Sequence, residues 1–393
     1  MTAREAKGLQ IAATTKLRKQ GQNWIVPSQS SSKQYEVSMD KTPRCNCPDF
    51  EFRNQPCKHI IAVQYTIQRE VHADGSETVS ETVKVTYTQD WPAYNAAQTN
   101  EKAHFMTLLH ELCKDIQEPE QTNGRPRNSL RDMIFSSTFK VYSTISARRF
   151  MTDLAEAQEK GYIAKTPHYC AMTRCLEQES LMPVLHSLIE KSSLPLKSIE
   201  TGFAVDSSGF STSKLSNYYD TKYAGRGNIK HAWVKTHLMC GVKTNVVTAV
   251  EIGQQHDSFM FPRLVESTSK NFEIKKVAAD KGYSSKRNLE VVDAKGAVPF
   301  IPFKINTVLR NDGDLWSKMY HYFAFNREDF LSHYHMRSNV ESTFASIKAK
   351  FGGYVRSRNQ VAQANEVLAK IVCHNICCLI SAMYELGLDV QLN

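Results

Sequence analysis

The stretch "YHMRSNVESTFASIK" spans residues 334 to 348. Wound at 3.6 residues per turn with Tyr334 as origin, Arg337 falls at roughly −60°, Glu341 at about −20° and Lys348 at about −40°. The four polar residues share one narrow stripe. Met336, Val340, Phe344, Ile347 and Phe351 make a second stripe roughly 100° away, which the spacing marks as the buried face. Ser338, Ser342, Ala345 and Ala349 lie beyond the polar stripe and are small. An amphipathic helix with a solvated edge accounts for a Glu followed later by a Lys. It does not ask for a Tyr and an Arg in the same row against the core.

Two aspartates upstream give that row a meaning. "FAVDSSGF" puts Asp206 at the end of one apolar run, and "KKVAADKGY" puts Asp280 at the end of another. Carboxylates ending buried strands collect at the edge of an open α/β sheet, where active sites form. Taken singly, each also suits a turn, because "DSSG" and "DKGY" are turn-like. With Glu341 they make three carboxylates. Oxygen ligands of this kind suit a magnesium-type cation that keeps several waters and takes a phosphate.

Short apolar runs dominate from residue 200 onward: "GFAVDSSGF", "HAWVKTHLMCGV", "NVVTAVEI", "IKKVAAD" and "AVPFIPF". Three runs in succession and then strand–helix alternation predict a mixed sheet covered by helices. Helical segments at about 336 to 351 and 360 to 386 close the chain. From about 101 to 195 the pattern is helical, with Ser146 and Gly161 expected as N-cap and C′ residue of one helix. Residues 72 to 100 are polar and poor in large aliphatics, which predicts a linker with a short strand in "TVKVTYT".

The stretch "CNCPDFEFRNQPCKH" sets Cys45, Cys47, Cys57 and His59 in two tight pairs. Zinc takes four such ligands in a tetrahedron, and a small domain gains folding energy from it. Residues 23 to 40 before it read as two strands around a Ser-rich turn.

The 393 residues are 41% hydrophobic and 23% charged, a globular composition, with a formal charge of +9. That excess suits a polyanion, nucleic acid first. No stretch reads as apolar for long enough to cross a bilayer. The first residues carry charges without the apolar core of a secretory signal. A soluble intracellular protein is the expectation.

The zinc stretch resembles the SWIM zinc finger, over roughly residues 20 to 70, a module that binds nucleic acid or protein. The rest, from about 100 to 385, resembles an insertion-sequence DDE transposase. Tyr334, Arg337, Glu341 and Lys348 match that family's Y-x2-R-x3-E-x6-K signature residue for residue. "AVDSSGF" and "AADKGYSS" are similar to its two Asp strands, and "HDS" at 256 to 258 has its flavour.

The resemblance implies an RNase H-like fold, with Asp206, Asp280 and Glu341 as a metal-binding catalytic triad for two Mg2+ or Mn2+ ions. It implies cleavage and strand transfer of double-stranded DNA at element ends and target. Arg337 and Lys348 would contact phosphates, and Tyr334 would hold the terminal DNA. The expected organisation is a SWIM finger at 1–71, a linker at 72–100, a helix-turn-helix-like DNA-binding domain at 101–195 and the catalytic domain at 196–393. Arg148 and Arg149 suit phosphate contacts in the helical part. A homodimer on DNA, a cytoplasmic, nucleoid-associated location and no membrane partner complete the expectation. Only 61 positions (341 − 280) separate Asp280 from Glu341, which leaves no room for the large β-rich insertion of some relatives. Trp316 and Tyr320 in that span suit packing better than stacking on a base. The alternative functions are a domesticated, inactive DNA-binding protein and an RNase H-like nuclease acting on RNA or hybrids.

Overall fold

The computed structural model describes residues 4, 7–8, 11–12, 15, 17–28, 33–39, 42–71, 77–81, 90–124, 126–213, 233–304, 307, 313–390 and 392, with backbone alone for 65–71 and 77–81. Packing divides the chain into two compact units, Met1–Gln89 and Asp90–Asn393.

In the first unit, β1 (Arg18–Gln20), β2 (Asn23–Pro27), β3 (Gln34–Ser38) and β4 (Arg44–Cys45) form an antiparallel sheet in chain order. β2 and β3 are the two strands expected around the Ser-rich turn, and they pair Trp24 with Val37. Strand alternation turns Trp24, Val26 and Val37 inward. α1 (Pro48–Arg53) opens directly after Cys47, with Pro48 in its first turn, and closes at Asn54 in left-handed backbone. α2 (Lys58–Thr66) brings Ile60 and Val63 to the same small core, which the three cysteines complete. β5 (Ile67–Val71), at the end of the expected finger, then pairs antiparallel with β6 (Glu77–Glu81), inside the expected linker. The strand expected in "TVKVTYT" lies outside the described residues.

In the second unit, α3 runs from Trp91 to Cys113, so the linker ends at residue 90 rather than 100. Asp90 caps the helix by accepting from the Ala93 N–H at 3.1 Å, and Pro92 suits its first turn. The polarity of 91–100 belongs to a helix surface. α4 (Leu130–Ser143), α5 (Met151–Glu159), α6 (Tyr169–Leu176) and α7 (Leu181–Ser193) follow. Gly161, just past α5, takes the expected left-handed φ of 77°. Ser146 is not the N-cap of α5. Its hydroxyl accepts from the Arg149 N–H at 3.4 Å and opens a turn that precedes the helix.

The sheet contains β7 (Gly202–Ser211), β8 (Trp233–Gly241), β9 (Val247–Ile252), β10 (Lys276–Ala279) and β11 (Val298–Phe300), in the order β11-β10-β7-β8-β9. The first three are antiparallel, and β10 and β11 join parallel to β7. This is the RNase H-like mixed sheet. α8 (Asp257–Ser269) and α9 (Lys286–Asp293) lie in the connections of the parallel strands. α10 (Leu315–Phe325) and α11 (Arg327–Tyr334) lead through a 3₁₀ turn, His335–Arg337, into α12 (Ser338–Phe351), and α13 (Gln360–Glu385) follows.

Alternation along β7 splits the core between the two faces. Ala204 and Phe210 pack with α12, α13 and the helices of 91–193. Phe203 and Val205 pack with α8. The helices expected as a separate domain at 101–195 therefore share one core with the sheet, and the packing shows no division at 195/196. α13 also corrects the reading that no stretch is long enough for a bilayer, because by length and composition it is. Here it is a core helix, and several of its polar groups bind backbone inside the protein. Asn375 accepts from the Val247 N–H at 2.8 Å and donates to Val247 O at 2.8 Å and Ile189 O at 3.2 Å.

Candidate active site and metal centre

The register of β10 on β7 pairs Ala279 with Val205. The next residues on the two strands are Asp280 and Asp206. Neighbouring strands lie about 4.8 Å apart, so these carboxylates leave the sheet side by side. Asp280 ends its strand by accepting from the Lys281 N–H at 2.7 Å, and Asp206 accepts from the Ser207 N–H at 2.8 Å.

α12 supplies the third carboxylate. Val340, Phe344, Ile347 and Phe351 are buried, while Ser338, Ser342, Ala345 and Ala349 line the other side of the polar row. All four are exposed, and Ser338 and Ser342 turn their hydroxyls back onto the carbonyls of His335 and Ser338. The helix does not run unbroken from Tyr334, since the 3₁₀ turn at His335–Arg337 intervenes. The tighter turn leaves the polar row intact. Arg337 donates from Nη1 to Asp206 Oδ2 at 3.0 Å and from Nη2 to Glu341 Oε1 at 2.5 Å. One guanidinium thus ties the strand to the helix and spans two of the three carboxylates. Lys348 donates to the Ser208 hydroxyl at 2.6 Å and lies over the Phe210 ring. Tyr334 is half-buried, with its ring centroid 5.9 Å from the Arg337 guanidinium carbon.

The electrostatics are those of a crowded acidic centre. Burial pushes the Asp206 carboxyl up, the Ser207 amide and Arg337 pull it down, and Asp280 and Glu341 push it up again, for a net rise. Burial lowers the Lys348 amine. Burial also raises the Tyr334 hydroxyl, and Arg337 opposes it. All three acidic side chains present oxygen donors, a set that suits a hard divalent cation.

On the opposite face of the same strand lies a polar group that sequence reasoning did not single out. Asp257 Oδ1 accepts from the Ser207 hydroxyl at 2.9 Å and sits 2.8 Å from Lys235 Nζ and 3.4 Å from His237 Nδ1. The only sequence signal was its place in "HDS". Arg148 and Arg149 lie apart from the carboxylates, on the turn before α5. Trp316 and Tyr320 pack edge-on against Phe303, with centroids at 4.7 and 5.3 Å.

In the first unit, Cys45, Cys47, Cys57 and His59 are all buried, and their ligand atoms lie within 4.8 Å of one another. His59 Nδ1 is 3.8 Å from both Cys45 Sγ and Cys57 Sγ. A tetrahedron with zinc–ligand bonds of about 2.0 to 2.3 Å has edges near 3.6 Å, so the two His59–cysteine separations fit within a few tenths of an ångström and the widest pair closes by about 1 Å on binding. The hydrogen bond from Cys45, aided by His59, holds the Cys57 thiol down at about 3, while Cys45 keeps its proton. A thiolate already favoured among four converging ligands is what zinc requires.

Residues 197–376 match the family model of the transposase DDE domain. The chain carries a DDE transposase domain. Residues 35–68 match the SWIM zinc finger. No curated protein matches the sequence. Among solved structures, the chain is similar to one titled "Cryo-EM structure of piggyBac transposase synaptic complex with hairpin DNA". The identity is 12%, 76% of each chain is covered, and the TM-score is 0.36.

Proposed function

We propose that Asp206, Asp280 and Glu341 are the catalytic triad of this transposase and hold two divalent cations, Mg2+ or Mn2+. The enzyme cleaves DNA at insertion-sequence ends and transfers the strand to a target. What carries the reading is Arg337, whose guanidinium binds Asp206 and Glu341 together and so draws the α12 carboxylate to Asp206, which lies inside β7 and not at its end. When bound, such cations activate the attacking hydroxyl and stabilise the leaving oxygen of an in-line displacement.

The chain's own groups do the rest. Arg337 offers a planar fork of donors, which suits two phosphate oxygens as well as two carboxylates. Lys348 adds a cation whose ammonium lies 5.4 Å from the Phe210 ring centroid and 5.8 Å from that of Phe344. Tyr334 holds the terminal nucleotide beside Arg337. Asp257 steadies Ser207, next to Asp206, from behind the sheet.

Cys45, Cys47, Cys57 and His59 hold a structural zinc. The helices of 101–195, with Arg148 and Arg149, contact double-stranded DNA, and a homodimer brings two ends together. Acting on DNA places the enzyme inside the cell, on the nucleoid.

The test is cleavage of a terminal-repeat duplex in Mg2+ or Mn2+. Glu341→Gln removes the carboxylate charge and keeps the shape. Loss of metal-dependent cleavage with DNA binding retained is the expected result. Undiminished cleavage would end the assignment.

A further inference from the structure

Two basic stretches far apart in sequence meet away from the carboxylate centre. Residues 144–149 follow α4, and residues 356–358 follow α12. The Arg356 guanidinium joins them, donating from Nη1 to Ile145 O at 2.9 Å and from Nη2 to Thr144 O. Glu366 accepts from the backbone N–H groups of Arg356 at 3.0 Å and Ser357 at 2.8 Å. Lys370 donates to Gly352 O at 2.9 Å and Tyr354 O at 2.6 Å. These groups build the junction and are engaged with backbone.

A cavity of about 490 Å³ opens between the stretches, with Lys140, Ser146, Thr173, Ser357 and Arg358 among its lining residues. Lys140 is half-buried there, and Arg358 is exposed. Arg149, exposed as well, follows the lining residues Ser146 and Ala147 by two positions. Among the described residues, the side chains of Lys140, Arg149 and Arg358 have no hydrogen-bond or ion-pair partner. Phe351, Leu176 and Val141 make much of the remaining wall apolar. Such a wall shelters a lysine stem but does not solvate an anion. An anion is therefore held at the mouth, beside the exposed Arg358.

The junction is coupled to the catalytic strand. Ser211, the last residue of β7, donates its N–H to Gly353 O at 3.0 Å and accepts from the Val355 N–H at 2.8 Å. Five residues of strand separate Asp206 from Ser211, a rise of about 17 Å. Duplex DNA covers that distance in roughly five base pairs at 3.4 Å each.

We propose that Lys140, Arg149 and Arg358 form a docking site for the phosphate backbone of duplex DNA, beyond the end of β7 that is tied to Gly353 and Val355. The site rests on the DNA-cleaving function above and adds a fixed lever to it. The cations hold the flank of the duplex at a set distance from the triad.

The experiment uses the full chain and a fluorescent duplex of three helical turns, with anisotropy followed against NaCl concentration. Each phosphate that the protein ceases to neutralise reduces the log–log salt slope by about 0.9. The double variant Arg149→Ala/Arg358→Ala is expected to flatten the slope by about two and to weaken binding roughly tenfold. Lys140→Met, which keeps the stem, is expected to flatten it by about one. Lys114→Ala, which removes a charge elsewhere, leaves it unchanged. Circular dichroism checks that each variant is folded.

An unchanged slope in folded variants, with cleavage by the wild type intact, overturns the docking site and leaves the proposed function standing. A wild type that binds no duplex overturns both. Pyrophosphate that binds the wild type but not Lys140→Met, alongside an unchanged DNA slope, overturns the site in favour of a small anion.

Discussion

Replacing Arg337 by Ala should move two measurements in opposite directions. The guanidinium lies 3.0 Å from Asp206 and 2.5 Å from Glu341. Two unit charges about 4 Å apart attract by about 4 kcal/mol at an effective dielectric of 20 and about 1 kcal/mol in water. The Arg337 and Asp206 side chains are 21% and 24% exposed, but Glu341 is 57% exposed. The Glu341 pair therefore counts for under about 1 kcal/mol, and about 2 kcal/mol is a fair total for both. A divalent cation binding the same carboxylates works against that attraction. Without Arg337 it should bind roughly ten- to thirtyfold more tightly, since 1.4 kcal/mol is a factor of ten. Cleavage should fall all the same, because the fork proposed to meet the phosphate is gone. Mn2+ titration followed by electron paramagnetic resonance gives the affinity, and a nicking assay gives the activity. Arg337→Lys keeps the charge without the fork and should leave metal affinity near wild type while losing most cleavage. Unchanged or weaker Mn2+ binding in a folded Arg337→Ala protein would refute the reasoning.

Cys57→Ser removes the favoured thiolate of the zinc set. The purified protein should lose its zinc by elemental analysis, and the first unit should lose its protease resistance while the second keeps it. Gly241→Ala drives a methyl group well inside van der Waals distance of the Glu200 carboxyl carbon, on a fully buried side chain. It should cost about 1 to 3 kcal/mol in urea unfolding, and a cost near zero would mean that Glu200 moves freely. Burial pushes the Glu118 carboxyl up, but the Ser129 hydroxyl and the Leu130 and Arg131 amides outweigh it and hold it below the usual glutamate range. A depressed acid gives stability that is present above its unfolded pKa and lost as pH falls through the folded one. The stability gap between wild type and Glu118→Gln should therefore be full at neutral pH and close as pH falls below the ordinary glutamate pKa of about 4.3, as thermal midpoints across pH would show.

Much of this was legible in the sequence because period and spacing are local properties. The α12 stripe, the five sheet runs and the two ligand pairs each occupy a few consecutive residues. Register followed from none of them. That Asp280 stands beside Asp206 depends on a pairing of Ala279 with Val205 across 74 positions (279 − 205), which only the packed sheet selects. The helices of 91–193 looked like a domain of their own because their apolar faces show in the sequence and the partner of those faces does not. That partner is α13, more than 150 residues further on, with the sheet beside it. The polar start of α3 read as a linker for a related reason, since surface helices and linkers share a composition.

That dependence on α13 orders events during synthesis. Asn365 donates to the backbone of α6 at Leu176, and Asn375 to that of α7 at Ile189 and β9 at Val247. The middle of the chain waits for these amides with its apolar faces uncovered. A nascent chain stopped before residue 360 carries all three acidic residues and neither of these ties. Cutting DNA is thereby tied to completing the polypeptide at least through this helix. A truncated product has the chemistry written in its sequence but no assembled core to hold it.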